Sequence, residues 1–133
     1  MNKQLELEDI FGNPLTVELE IQCYANNGCM YIGLIEIGGD YPEHYGDMTV
    51  NLDGKCPDYC GYVDTNHMPQ VEEFIRKNEL GEFTGLTKQS GFCIYPLYMF
   101  NVDKLREMCP EGMEYYEQSI GADKRKEQKE RVR

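Results

Sequence analysis

The sequence predicts an α+β protein: one antiparallel sheet of about five or six strands, with two or three helices in the C-terminal half. Three observations carry this reading. Apolar and polar residues alternate with period 2 through much of the N-terminal half. Helical spacing of apolar residues begins only after Asn66. One further apolar run, residues 92–100, then returns as a strand among the helices. Strands grouped first and helices grouped late argue against alternating βαβ units.

The first strand falls in residues 4–11, where Leu5 and Leu7 sit opposite Glu6 and Glu8; Gly12, Asn13 and Pro14 then turn the chain. In the next strand Leu15, Val17, Leu19, Ile21 and Cys23 alternate with Thr16, Glu18, Glu20 and Gln22, so one face is wet. Asn27-Gly28 is a strong hairpin signal leading into residues 29–37. That third strand is apolar on both faces, Tyr31, Ile35 and Ile37 on one and Met30, Ile32 and Leu34 on the other. It belongs in the middle of the sheet with its second face covered. Residues 38–46 read as an irregular, tyrosine-bearing loop. Met48, Val50 and Leu52 form a short strand, Asp53-Gly54 a turn, and residues 59–64 another strand.

The first helix starts at Asn66 or His67, carries Pro69 in its first turn, buries Val71, Phe74 and Ile75, and stops at Gly81. Residues 84–91 form a polar, glycine-punctuated loop. Pro96 removes a ladder donor from the following strand, which places it at an edge or a bulge. Asn101 caps a second helix with Val102, Leu105 and Met108 inward, ended by Pro110. Met113, Tyr116 and Ile120 mark a third, closed by Gly121. Residues 1–121 therefore read as a single domain, and residues 122–133 as a charged tail, a frayed helix or disorder.

Composition narrows the function classes. The 133 residues are 41% apolar, and no 18-residue apolar run or basic-then-apolar leader occurs, so the expectation is a cytoplasmic protein without a membrane span. The net charge of −11 is uneven: residues 121–133 carry six Lys/Arg against three Asp/Glu, whereas the preceding residues carry seven against 21. Such a body repels nucleic acid and anionic membranes and is drawn to basic protein surfaces. Direct nucleic-acid contact is expected only through the basic tail, which otherwise serves solubility. The six cysteines read as reduced, mostly buried thiols in this compartment.

Glu6, Glu8, Glu18 and Glu20 share the solvent face of the first hairpin. Same-face neighbours along a strand lie ~7 Å apart and the neighbouring strand ~5 Å away. A carboxylate patch of that density is a well-solvated sheet face or a surface for a protein that grips phosphates through Lys and Arg. Thr84, Thr87, Lys88 and Ser90 offer hydroxyls and a cation on the polar loop, either as a binding edge or as an internal brace. The loop follows a helix and precedes a strand, the reverse of a phosphate-binding loop. Cys56 and Cys60, four apart, have zinc-knuckle spacing; Cys93 and Cys109 would complete a structural zinc site, with His44 or His67 as substitutes. Only one tight pair is present, so the primary expectation is no metal and no cofactor. Cys93 with His67 is the one nucleophile–base pair to be drawn, and Cys93 lies in an apolar run where thiols are inert. No catalytic residue is assigned.

Tyr62-Val63-Asp64-Thr65-Asn66, Phe74-Ile75, Gly81-Glu82, Thr84-Gly85, Ser90-Gly91-Phe92-Cys93 and Tyr95-Pro96-Leu97-Tyr98-Met99-Phe100 carry a resemblance, with weaker matches around residues 48–52 and at Leu105, Cys109, Pro110 and Glu111-Gly112. Over about residues 45–120 the chain resembles an uncharacterised family of small proteins encoded on conjugative elements, plasmids and phages of gut Firmicutes. The resemblance transfers no catalytic residue. It implies company with elements that must survive restriction and CRISPR systems. Acidic charge, small size and this resemblance together favour a binding protein, an anti-defence inhibitor of a host nucleic-acid enzyme, over an enzyme. The alternatives are a regulatory or structural homodimer built through tyrosine-rich surfaces, and a small zinc- or cysteine-dependent protein.

Overall fold

A computed structural model describes residues 2–121, and the expected tail at 122–133 lies outside the described residues. The described residues are α+β, with eight strands and three helices in the order β1 (Gln4–Glu8), β2 (Pro14–Cys23), β3 (Met30–Ile37), β4 (Glu43–Asp47), β5 (Thr49–Val50), β6 (Cys60–Val63), α1 (Val71–Lys77), β7 (Gly81–Ser90), β8 (Cys93–Phe100), α2 (Val102–Met108) and α3 (Pro110–Ile120). The strands divide between two antiparallel sheets, ordered β1-β2-β3-β4 and β5-β6-β8-β7.

The division falls at Met48, between β4 and β5. Its N–H donates to the Ile32 carbonyl of the first sheet at 2.8 Å, while its own carbonyl accepts from Asp64 at 2.8 Å in the second. Thr49 adds a stitch, its hydroxyl accepting from the Ile32 N–H at 3.1 Å. The strands exceed the expected five or six because the expected loop at 38–46 contributes β4 and because residues 81–90 are strand, and they form two sheets where the sequence suggested one.

Alternation decides which face is buried. Leu5, Leu7, Val17, Leu19, Ile21, Met30, Ile32 and Leu34 enter the core, each full burial contributing roughly 1.5–3 kcal/mol before entropy is charged. Phe74 and Ile75 of α1, Leu105 and Met108 of α2, Met113 and Tyr116 of α3, and Tyr98 and Phe100 of β8 join the same cluster. One core therefore serves both sheets and all three helices. The opposite face of β3 is only half-buried, so the cover expected over Tyr31, Ile35 and Ile37 is partial. As expected, β3 lies inside its sheet, between β2 and β4.

The late helices follow their sequence signals. The Asn101 side chain accepts from the Lys104 N–H at 3.2 Å and caps α2; Pro110 opens α3; Gly121 closes it at φ 72°. Helix α1 is shorter than its periodicity suggested. Asn66 and His67 lie in a turn held by Asp64, whose carboxylate accepts from the His67 N–H at 3.1 Å. The helix ends at Lys77, and Gly81 is the first residue of β7, where a β-carbon would lie 2.8 Å from the Met99 carbonyl.

Candidate interaction surfaces

Every second residue of β1 and β2 that is not in the core faces outward, and this puts Glu6, Glu8, Glu18 and Glu20 on one face of the first sheet. The register sets their spacing. Glu6 pairs with Thr16 and Glu8 with Pro14, while Glu18 pairs with Gln4 on one side and Ile35 on the other. No glutamate of the four faces another directly, so the two close rows expected from the sequence are staggered, which relieves like-charge repulsion. Glu6 and Glu8 are exposed, Glu18 and Glu20 partly so, and among the described residues none of the four makes an ion pair.

The face continues onto residues that the sequence reading did not select. Tyr31 pairs with Gln22 and donates its hydroxyl to Asp47 of β4 at 2.6 Å. Burial, Asp47 and then Glu20 all raise the Tyr31 hydroxyl pKa, so it stays protonated and donating. His44 lies 3.1 Å from the same Asp47 carboxylate. The signal for Tyr31 was present in its odd-numbered position on β3. Asp47 gave none, because β4 has no apolar alternation.

Thr84, Thr87, Lys88 and Ser90 are not on a loop: they lie along β7, the outer strand of the second sheet. Between Phe83 and Thr87 the register with β8 shifts, with Gly85 at φ 89° inside the bulge and Pro96 opposite Thr87. Thr84 braces this bulge, its hydroxyl donating to the Leu97 carbonyl at 2.8 Å and accepting from the Leu86 N–H at 3.1 Å. The Lys88 ammonium donates to the Asp53 carbonyl, tying the arm to the 51–54 segment. Two of the four are thus internal braces. Thr87 and Ser90 are exposed, as are Phe83, Leu86, Phe92, Ile94 and Met99, with Phe92 fully so at 106%. The β7–β8 hairpin is an arm with apolar side chains in water.

Among the described residues no three or more of His, Cys, Asp and Glu gather into a group that could hold a metal. Asn27 ties the turn between β2 and β3 to the 51–54 segment through Asn51 at 2.8 Å and the Leu52 carbonyl at 3.0 Å. Cys56 lies just beyond; burial first, then the neighbouring Cys29, push its thiol up to about 12. Cys60 is buried in β6, and Cys109 is buried between α2 and α3. Cys93 opens β8 opposite Ser90, and His67 engages the mostly buried Asp64 carboxylate at 3.0 Å.

The arrangement is that of a small two-sheet α+β protein whose chemistry is displayed on surfaces: a carboxylate face on the first sheet and an apolar arm on the second. Residues 18–120 match a domain of unknown function, DUF4313, and the chain belongs to that family. No curated protein and no solved structure matches it. Among the described residues no helix is long and apolar enough to cross a membrane.

Proposed function

We propose that the protein acts by binding a basic protein partner, its carboxylate face seated in a cationic groove that otherwise holds nucleic-acid phosphates. The partner class that best fits is a host nucleic-acid enzyme of the restriction or CRISPR kind, met in the bacterial cytoplasm by the mobile elements whose small proteins this chain resembles. The observation that carries the proposal is the outward presentation of Glu6, Glu8, Glu18 and Glu20 without ion-pair partners among the described residues. Opposite potentials accelerate encounter, and salt screens that acceleration. Immobilised protein should capture such an enzyme from host lysate at low salt. Replacing all four glutamates by glutamine should slow association on the order of tenfold or more. Capture of no nucleic-acid-binding protein at any salt, or a glutamine variant that associates as fast, defeats the proposal.

A second reading, a homodimer, is favoured by the exposed Phe83, Leu86, Phe92, Ile94 and Met99 on the β7–β8 arm. Light scattering separates the two: a stable oligomer that ignores host proteins supports the second.

A further inference from the structure

The binding proposal leaves open how a partner is gripped, and the free edge of β1 supplies an answer. Among the described residues β1 is the outer strand of the first sheet, paired with β2 alone. Beside it runs a cleft of about 170 Å³, lined by Glu6 and Glu8 of β1, Gln70 before α1, and Glu73, Phe74 and Lys77 of α1. Backbone direction at this edge follows from two bonds. The Asp9 N–H donates to the Asn13 carbonyl across the hairpin at 2.9 Å, so odd-numbered residues here point their backbone groups at β2. The Glu8 carbonyl instead accepts from the Gln70 amide at 3.2 Å, on the side away from β2. The Glu6 N–H and carbonyl, two residues back, face the same side as that carbonyl. Among the described residues neither has a hydrogen-bond partner.

The Gln70 side chain occupies one end of this edge. Its nitrogen must face the Glu8 carbonyl, which only accepts, and it also reaches the Tyr45 hydroxyl at 3.2 Å. That orientation leaves the Gln70 Oε1 atom buried and without a partner. Glu73 is already held by Arg76, whereas Glu6 and Glu8 are free of ion pairs among the described residues. The cleft thus combines an open strand edge with two carboxylates that make no ion pair among the described residues.

We propose that this cleft accepts an extended, arginine-bearing segment of the partner protein, which adds to β1 as a fifth strand of the first sheet. Backbone pairing at Glu6 supplies the register, as in other strand-addition complexes. Arginine is the side chain suited to the cleft, because its planar donor fork pairs with a carboxylate through two bonds, and Glu6 and Glu8 are the carboxylates of the cleft without ion pairs among the described residues. The inference rests on the binding reading above and names its geometry.

The test uses the full chain and a fluorescein-labelled peptide of alternating arginine and valine, followed by anisotropy at low salt. The peptide should bind and slow amide exchange at Glu6. Methylating its backbone nitrogens at alternate positions should weaken binding about tenfold or more, since each lost pairing bond is worth on the order of 1 kcal/mol. Glu6→Pro removes the edge-facing N–H without touching the bonds to β2 and should do the same, whereas Glu6→Gln should cost only a few-fold. If Glu6→Pro does not fold, the methylated peptide still decides. Equal binding of the methylated and unmethylated peptides overturns strand addition. So does binding that is lost on Glu18→Gln with Glu20→Gln yet indifferent to methylation, although that result upholds the acidic-face reading. Absence of binding also overturns strand addition and leaves the lysate capture to judge the broader proposal. Displacement of the probe by a peptide of residues 122–133 overturns the assignment to a separate partner.

Discussion

Replacing Gly112 by alanine sets two well-defined effects against each other. Gly112 lies in α3, and alanine at a helical position is intrinsically favoured over glycine by up to about 1 kcal/mol. The new β-carbon, however, would lie 2.7 Å from Cys109 Sγ, 2.9 Å from the Ile21 carbonyl oxygen and 3.0 Å from Ile21 Cβ. Two of those atoms are fixed by the backbone of β2, whose Ile21 is paired with Ile32 in the sheet. The helix must therefore rise off the strand, and overpacking of this sort costs about 1–3 kcal/mol. With little room to yield, the upper half of that range applies, and the net result is destabilisation by about 1–2 kcal/mol. Urea unfolding followed by circular dichroism reads this as a lower midpoint with an unchanged slope. A cycle with Cys109→Ala isolates the sulfur contact: the double variant should recover about 0.5–1 kcal/mol relative to the sum of the singles. A Gly112→Ala protein as stable as the parent, or strictly additive behaviour in the cycle, would refute the reasoning that α3 rests on β2 through this glycine.

Three further outcomes are expected. Thr84→Val removes both bonds that brace the bulge and should cost about 1 kcal/mol, with faster amide exchange along β7 and little change in β6; uniform acceleration would count against a local brace. Burial raises the Glu117 pKa, but bonds from Tyr59 at 2.6 Å and Arg106 at 2.6 Å outweigh it and leave the carboxyl below its ordinary value near 4.5. A folded value below the unfolded one means stability that is present above pH 4.5 and lost as pH falls through the lower value. Glu117→Gln should therefore flatten the acid limb of the stability profile, and an unchanged limb would exclude this network as its source. With its thiol pushed up to about 12, Cys56 should react with a disulfide reagent at pH 8 far more slowly in the native protein than in urea; equal rates would contradict its burial.

Legibility in the sequence tracks burial. Where one face of a strand enters the core, as at Val17, Leu19 and Ile21, the period-2 pattern is plain and the strand is found within a residue or two. Caps are also legible, because Asn101 and Gly121 act through their own local geometry. Residues 84–91 read as a loop in the sequence because β7 is exposed along most of its length. A strand that buries almost nothing has no hydrophobic alternation to show, and a glycine in the bulge reads as punctuation. Gly81 was read as a helix stop for a related reason. Its lack of a side chain serves the close approach of Met99, a contact 18 positions away in the chain and invisible locally. The split into two sheets depends on Met48 bonding both ways, which no pattern in the chain announces. Of the candidate site, the glutamate face was readable from alternation alone. Its extension through Tyr31 and Asp47, and the cleft beside β1, needed the register and the placement of α1.

The separation of faces in β1 and β2 bears on what those glutamates are for. Their burial-bearing neighbours, Leu5, Leu7, Val17, Leu19 and Ile21, hold the sheet on the core, so the fold gains nothing from the particular choice of carboxylate at the alternate positions. Diagonally placed like charges on one face carry a small repulsive cost, and neutral polar residues would serve a solvated sheet as well. Solubility does not single out this face either, since the described chain is acidic throughout. What distinguishes it is continuity: the glutamate rows run onto the outer edge of β1, where the Glu6 N–H and carbonyl have no partner among the described residues, and a strand edge left open beside a helix is a liability unless something occupies it. Charge to draw a basic partner and an edge to pair with it are complementary halves of one binding mode, and they meet at Glu6.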